Sequence, residues 1–209
     1  MDKLFIDLMT EGIAKWMKIA DERLRNSKVK CFVCPGNDDV LEINQIIERS
    51  ETVVNAADKV VAIDGRHEMI SLGWTNPTPW KSFKECSEEE LLEKIEALVS
   101  QLKDVKNSVF NLHAPPYGIG LDDAPQLDKT LKQNSRLVAP VGSTAIKDSI
   151  EKYSPLLGQH GHVHEAKGFT RIGRTLCMNP GSTYERGTLL GVLIDVGEKE
   201  VERYITVVG

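Results

Sequence analysis

Pro155-Leu-Leu-Gly-Gln-His-Gly-His-Val-His164 is the stretch around which the chain is read. Its first half, through His160, has the length and apolarity of a short buried strand entering a turn. Its second half sets two histidines two residues apart behind a glycine. In an extended segment residues i and i+2 share a face, so the imidazoles of His162 and His164 are expected to converge on one point. Gly161 carries no side chain and lets a ligand or another backbone approach closely. Such an array at a strand end suits metal ligation, for which imidazole is the commonest side chain. Two surface histidines on a loop are the rival reading, and the rest of the chain decides between them. His160 has the parity to join the pair, whereas Gly161 offers a turn that would carry it away.

Composition narrows the class. With 209 residues, the chain is long enough for one domain, residues 1–209, with a sizeable core. Hydrophobic residues at 41% and charged residues at 27% are ordinary for a soluble globular protein. A net charge of −5 argues against holding nucleic acid by bulk electrostatics, though it leaves room for a local basic patch. No apolar run approaches a membrane span, and no basic-then-apolar start resembles a secretory signal, so a cytoplasmic location away from membranes is expected. Cys31 and Cys34 form a C-x-x-C with no second pair to complete a zinc site. In a strand, i and i+3 face opposite ways, so these two, like Cys86 and Cys177, are expected to be thiols in a reducing compartment.

Outward from the histidines, helices and strands alternate before a strand-rich tail. Leu4, Leu8, Ile13, Trp16, Met17, Ala20 and Leu24 fall near a 3.6-residue period, which predicts one amphipathic helix over residues 3–25 with Asp2 as its N-cap. Residues 29–34 form a continuous apolar run, the mark of a strand covered on both faces, and it stops at Pro35-Gly-Asn-Asp-Asp39. A helix follows at 41–49, then two strands, 59–63 and 68–72, that form a hairpin across Asp64-Gly65. Ser87-Glu-Glu-Glu90 is a capping box opening a helix to residue 102. Residues 107–112 read as a strand ending at His113, and 114–135 as a long irregular loop of the kind that carries function. Ser143 caps a helix to residue 153, and strands at 169–172, 175–178, 189–195 and 201–208 close the chain. This order favours a layered α/β protein with mixed sheets. Asn37, His113, His162 and His164 then sit at strand ends, where α/β folds place their sites. His67 follows a turn without a sequence partner and reads as structural.

Taken singly these pieces are ordinary. Pro-Gly-Asn-Asp-Asp is a strong turn sequence, and a lone histidine such as His113 is commonly structural. In order they are more specific: Gly36-Asn-Asp-Asp39, then His113 within Asn111-Leu-His-Ala-Pro-Pro-Tyr-Gly118, then Gly161-His-Val-His164. This series resembles the later three motifs of the calcineurin-like metallophosphoesterases, in particular a prokaryotic and archaeal branch. Leu121-Asp122, His164-Glu-Ala166 and Asn179-Pro-Gly-Ser182 extend the likeness over nearly the whole chain. The resemblance implies a layered α/β-β-α sandwich with two mixed β-sheets. It implies that Asn37, His113 and His162 hold a second metal and His164 the first, with one or two divalent ions of manganese, iron or zinc as cofactor. It also implies a hydrolase of phosphomonoesters or phosphodiesters that works through a metal-activated water. A non-catalytic binding or scaffold protein on the same fold is the alternative, and a mononuclear zinc site drawn from His113, His160, His162 and His164 is a third reading. Trp74, Trp80, Tyr117 and the loop 115–126 are candidates for a substrate pocket, with Tyr117 the named substrate contact.

The sequence departs from the family pattern twice. Asp38 stands where the family usually has a catalytic histidine. An ionised carboxylate cannot protonate a leaving group, so dependence on Asp38 is expected to be weak when the leaving group is good. The first two motifs, Asp-x-His and Gly-Asp-x-x-Asp, are absent, and with them the first-metal carboxylates. The family would place a β-α-β unit, roughly 30 residues or more, before the first helix. A start further upstream, a surviving mononuclear site and a non-catalytic member are the three explanations. A sheet lacking those strands has an open edge. A partner chain, a homo-oligomer or the N-terminal helix is expected to cover it.

Overall fold

The computed structural model describes residues 3–127 and 133–209. The chain runs through α1 (Lys3–Leu24), β1 (Cys31–Val33), α2 (Ile43–Ile47), β2 (Val53–Asn55), β3 (Lys59–Ala62) and β4 (Glu68–Leu72). It continues with α3 (Glu88–Val99), β5 (Val109–Leu112), β6 (Asp123–Leu127), β7 (Gln133–Pro140), α4 (Thr144–Tyr153) and β8 (Leu157–Gln159). It ends with β9 (Gly168–Ile172), β10 (Thr175–Asn179), β11 (Leu190–Val196) and β12 (Val201–Val208). The expected N-cap Asp2 lies outside the described residues.

A six-stranded sheet of order β3-β4-β5-β8-β10-β9 is the centre. β4, β5, β8 and β10 run parallel, and β3 and β9 pair antiparallel at the two edges, so the sheet is mixed. Its central strands are short and apolar because both faces are covered. On one face, Phe110 of β5 and Ile70 of β4 pack with Leu91 and Ile95 of α3 and Ile146 and Ile150 of α4. On the other, Met69, Val109, Leu157 and Leu176 meet Phe32 of β1, Val192 and Ile194 of β11 and Val201 of β12. The parallel pair β1–β2 turns its opposite face to α1 and α2, where Cys31, Val33 and Val53 join Ile43, Ile47 and Met17. The layers are thus α, β, β, α, as the sequence predicts.

Local chemistry explains the boundaries. Ser87 accepts a hydrogen bond from the Glu90 amide, and the Glu90 side chain reaches back to the Ser87 amide, closing the capping box of α3. Ser143 caps α4 by accepting from Ile146, and the helix ends on Ser154 in the left-handed region. Glu88, in the first turn of α3, also accepts from the Ser143 hydroxyl and the Thr144 and Ala145 amides, tying the starts of the two helices together. Asp21 of α1 accepts from Ser50, Glu51 and Thr52 and fastens that helix to the approach to β2.

Three expectations need correction. The face of α1 that packs is Ile6, Met9, Ile13, Met17 and Ala20, whereas Leu8 and Trp16 are 60% and 69% exposed. Two adjacent apolar stripes run along this helix, and periodicity alone does not say which one meets the core. β2 is an additional strand, only three residues long, that pairs with β1. Part of what reads as irregular loop over 114–135 is strand, β6 pairing with β7 with a register shift at Pro125/Gln126, while residues 128–132 lie outside the described residues. Proline signals a loop, yet an edge strand at a bulge accommodates it.

β1 pairs with β2 alone and β11 with β12 alone among the described residues. α1 packs on a face of the β1–β2 ladder. No helix among the described residues is long and apolar enough to cross a membrane.

Gly73, just after β4, is where the loops following β1 and β4 touch. A Cβ there would stand 1.9 Å from the carbonyl oxygen of Pro35. Gly73→Ala is therefore expected to destabilise the protein by about 1–3 kcal/mol, the usual cost of forcing atoms into a filled space. Urea denaturation measures it, and an unchanged midpoint would show that the two loops are not held this closely.

Candidate functional site

Three loops converge where β1, β5 and β8 end. The loop after β1 supplies Asn37, β5 runs into His113, and β8 runs into His160, Gly161 and His162. The β5–β8 register (Val109 opposite Leu157, Asn111 opposite Gln159) brings the last two together. His113 Nε2 lies 2.8 Å and His162 Nδ1 3.0 Å from the same atom, Asn37 Oδ1. With both rings neutral, their N–H groups donate to that oxygen. The two rings meet edge to face at 5.3 Å.

Close backbone approach makes this meeting feasible. A Cβ on Gly36 would sit 2.7 Å from the His113 ring, so only glycine leaves room for it. His113 is pinned through its amide to Leu72 O and through its carbonyl to the Gly161 amide, both at 2.9 Å. His162 has φ +62°, a left-handed value unusual for a side-chain-bearing residue. Residues held there cost of order 1–3 kcal/mol and cluster at functional sites.

This turn overturns the expectation drawn from an extended Gly-His-x-His. The segment is not a strand at His162. His162 therefore swings toward His113, while His164 is exposed and packs edge to face on Tyr184 at 5.6 Å. The structure brings Asn37, His113 and His162 together and leaves His164 beside them without a share in Asn37 Oδ1. Asp38 is exposed; its carboxylate accepts from Asn37 Nδ2 at 3.2 Å, and its charge favours protonation of His162. Tyr117 is exposed, with its amide bonded to Ser143 O, and makes no described contact with the histidines.

His160 is not part of the convergent set. It is buried, and its Nδ1–H is shared between the carbonyls of Leu112 (2.9 Å) and Ala114 (3.1 Å), the residues on either side of His113. It clamps the backbone that carries His113. Its Nε2 is buried with no hydrogen-bond partner among the described residues. His67, read as structural, bonds through Nδ1 to Asp64 at 2.8 Å.

The electrostatics keep the rings uncharged. Burial pushes His113 down to about 3, helped by His162, His164, the buried Lys84 ammonium and His160. Burial likewise lowers His162, against the opposing field of Asp38. It takes His160 down to about 4, although its two carbonyl partners favour the charged form. Neutral imidazole is the form that ligates metals.

Ser82, Lys84 and Glu85 also shape the site, and no sequence motif marks them. The amides of Phe83 and Lys84 bond to Asn37 O, Ser82 Oγ accepts from Asn37 Nδ2 at 2.7 Å, and Lys84 Nζ donates to Pro35 O at 3.1 Å. Burial lowers the Lys84 ammonium, with Asp39 opposing it. The cysteines do not contribute: all four are free, and burial pushes Cys34 and Cys177 up to about 12 and Cys86 up to about 11.

Two neutral imidazole nitrogens and an amide oxygen suit a divalent ion such as Mn²⁺, Fe²⁺ or Zn²⁺. Among the described residues, no group of three His, Cys, Asp or Glu side chains is placed to hold a metal ion. The donor set present fits one ion and offers no carboxylate bridge for two.

No family model matches the chain. It is 32% identical over 148 residues to uncharacterized protein MJ1162 of Methanocaldococcus jannaschii, a match covering 70% of this chain and 61% of that protein. The chain thus spans less than two thirds of that relative's length. One crystal structure, 21% identical, superposes with a TM-score of 0.62 over 88% of this chain and 67% of its own. The protein TT1561 of Thermus thermophilus is 17% identical with a TM-score of 0.58, over 87% of this chain and 73% of its own. The Thermus thermophilus sulfate thiohydrolase SoxB in complex with glycerol is 12% identical, with a TM-score of 0.50 over 97% of this chain and 36% of its own. The chain has the metallophosphoesterase-like fold.

The buried histidines set a pH dependence. An unfolded histidine titrates near 6.5 and folded His160 near 4. Between these values the unfolded chain binds a proton that the folded chain refuses. Stability from His160 is therefore fully present above about 6.5 and falls as pH drops toward 4, by up to about 1.4 kcal/mol per pH unit. His113 adds a loss of the same sign. Urea midpoints at pH 7, 6 and 5 are expected to decline in that order, and the slope is expected to shrink in His160→Gln.

Proposed function

We propose that this chain is a metal-dependent phosphoesterase domain acting on phosphomonoesters or phosphodiesters. The observation that carries the reading is the meeting of Asn37 Oδ1, His113 Nε2 and His162 Nδ1 at one point, with both rings held neutral. The metallophosphoesterase-like fold supports it, because these residues leave the ends of β1, β5 and β8, where layered α/β folds place their sites. Asn37, His113 and His162 would hold one divalent ion, with His164 exposed beside them. Such an ion supplies Lewis-acid charge toward a phosphoryl oxygen and lowers the pKa of a bound water. The chain's own residues contribute orientation. Asn37 and the two rings fix where charge can be neutralised, and the left-handed turn at His162 aims its ring at Asn37. Exposed Asp38, beside His162, is the candidate for handling the proton of the leaving group, and Tyr117 is a candidate substrate contact on the loop after β5.

A second reading, a binding or scaffold protein on the same fold, is favoured by one observation: no trio of His, Cys, Asp or Glu side chains among the described residues is placed for a metal. A partner chain or second copy along the free edge of β1 would fit either reading, since an unpaired strand edge readily recruits another strand.

Metal content after reloading with Mn²⁺, together with turnover of a chromogenic phosphodiester, separates the two. One ion per chain with turnover is expected. His113→Ala and His162→Ala are each expected to lower Mn²⁺ affinity by more than the roughly 10–100-fold typical of supporting residues. Stoichiometric metal absent from the wild type would remove the enzyme reading and leave the scaffold. Asp38→Asn is expected to change turnover of an activated diester by less than about tenfold, since a good leaving group needs no acid. A larger loss would give Asp38 a role in the chemical step.

A further inference from the structure

We propose that Ser82 and Glu85 are positioning residues that decide which atom of the Asn37 amide faces His113 and His162. The inference deepens the proposed function, on which its metal-binding half rests. The oxygen and nitrogen of an asparagine amide have nearly the same shape, so its partners choose the orientation. Asn37 is only 5% exposed, so bulk water does little to help in that choice.

The choice is made by hydrogen-bond direction. Glu85 accepts from the Thr78 amide (2.9 Å), the Thr78 hydroxyl (2.5 Å), the Ser82 amide (2.6 Å) and the Ser82 hydroxyl (2.6 Å). Burial pushes this carboxyl up, but the bonds from Ser82 and Thr78 outweigh it and hold it down to about 2, so it is ionised at neutral pH. An ionised carboxylate only accepts. Ser82 has one hydroxyl proton, and Glu85 takes it. Toward Asn37, 2.7 Å away, Ser82 Oγ can then only accept, which demands the NH₂ group. The amide oxygen is left pointing at the two rings, where it accepts their N–H groups in the metal-free protein and where a bound cation would take the place of those protons. The reverse orientation would set two oxygens against each other at Ser82 with no proton between them and aim the NH₂ group at the imidazoles.

The chain Asn37→Ser82→Glu85 thus runs one way; the Asp38 carboxylate accepts from the same Nδ2 at a longer 3.2 Å and favours the same orientation. Phe83 and Lys84, between its last two members, also hold the Asn37 carbonyl through their amides, so the same segment fixes both the backbone and the side chain of Asn37. Ser82 lies 45 residues from Asn37 in sequence and touches neither imidazole in the described bonds, so its effect passes through Asn37 alone.

The test is Mn²⁺ affinity by titration calorimetry, with side-chain NMR of the metal-free protein as an independent readout. Ser82→Ala and Glu85→Gln are expected to weaken Mn²⁺ binding about 10–100-fold, the usual effect of removing an outer partner of a ligand. Ser82→Thr keeps the hydroxyl and is expected to stay near wild type. The double variant is expected to be no weaker than the weaker single one, because the two residues act in series. In the metal-free protein, Ser82→Ala is expected to shift the Asn37 side-chain amide and the ring nitrogens of His113 and His162. A folded Ser82→Ala protein with unchanged affinity and unchanged signals would overturn the proposal. Should Ser82→Ala not fold, the Asn37 side-chain amide signals of metal-free Glu85→Gln carry the test, because Glu85 also acts on His162 through its charge and its effect on affinity alone would not isolate the relay. If the wild type takes up no Mn²⁺, the proposed function fails on its own, and the NMR comparison alone decides the relay.

Discussion

Two imidazoles share one amide oxygen in this protein, and they do so uncharged. Burial enforces this at His113 and His162, and much of the surrounding architecture keeps them buried and aimed. The mixed sheet aligns β5 with β8, so that the residues following both strands meet. Gly36 and Gly73 let the loop of Asn37 lie directly against the His113 ring and the end of β4. His160 commits its one ring proton to the carbonyls flanking His113 and leaves its other nitrogen unpartnered. That arrangement costs polar satisfaction in the core, where an unbonded polar atom is unfavourable by about 1–3 kcal/mol. It is offset by a fixed backbone at His113.

Charge organises the loops behind the site. Lys84 is a buried cation whose one described bond is to Pro35 O, and Asp39 accepts from the Gly36 amide at 2.7 Å. The two hold the turn that carries Asn37 from opposite sides. Charges reach the two rings in different ways: Lys84 opposes protonation of His113, whereas Asp38 and Glu85 favour it at His162. Neutral donors with acidic groups nearby form an environment that favours a cation over a protonated ring.

Much of the fold was legible because its elements are strongly patterned. The capping box at Ser87, the Ser143 cap and the apolar runs at β4, β5 and β10 are local signals, and the structure places elements where they point. The misses share a physical cause: each was decided by a contact distant in sequence or by backbone geometry that no pattern encodes. Val53–Asn55 is too short to show a period and becomes a strand through pairing with Cys31–Val33. The stripe of α1 that packs is chosen by α2 and β1, not by the helix. Asn37, His113 and His162 were legible as an ordered set, but their shared oxygen was not. The i, i+2 rule assumed extended backbone, and a left-handed residue at His162 broke it. Ser82 left no trace in sequence because its importance lies in a bond to a residue 45 positions away, and Glu85 acts on that bond through Ser82.

Under the proposed function, Asn37, His113 and His162 form a neutral donor set for a divalent ion. X-ray absorption spectroscopy of the Zn²⁺-loaded protein, compared with His113→Ala and His162→Ala, tests this. An inner shell containing two imidazole nitrogens is expected, with outer-ring scattering reduced by one histidine in each variant. An oxygen-only shell, or an imidazole count unchanged in both variants, would contradict it.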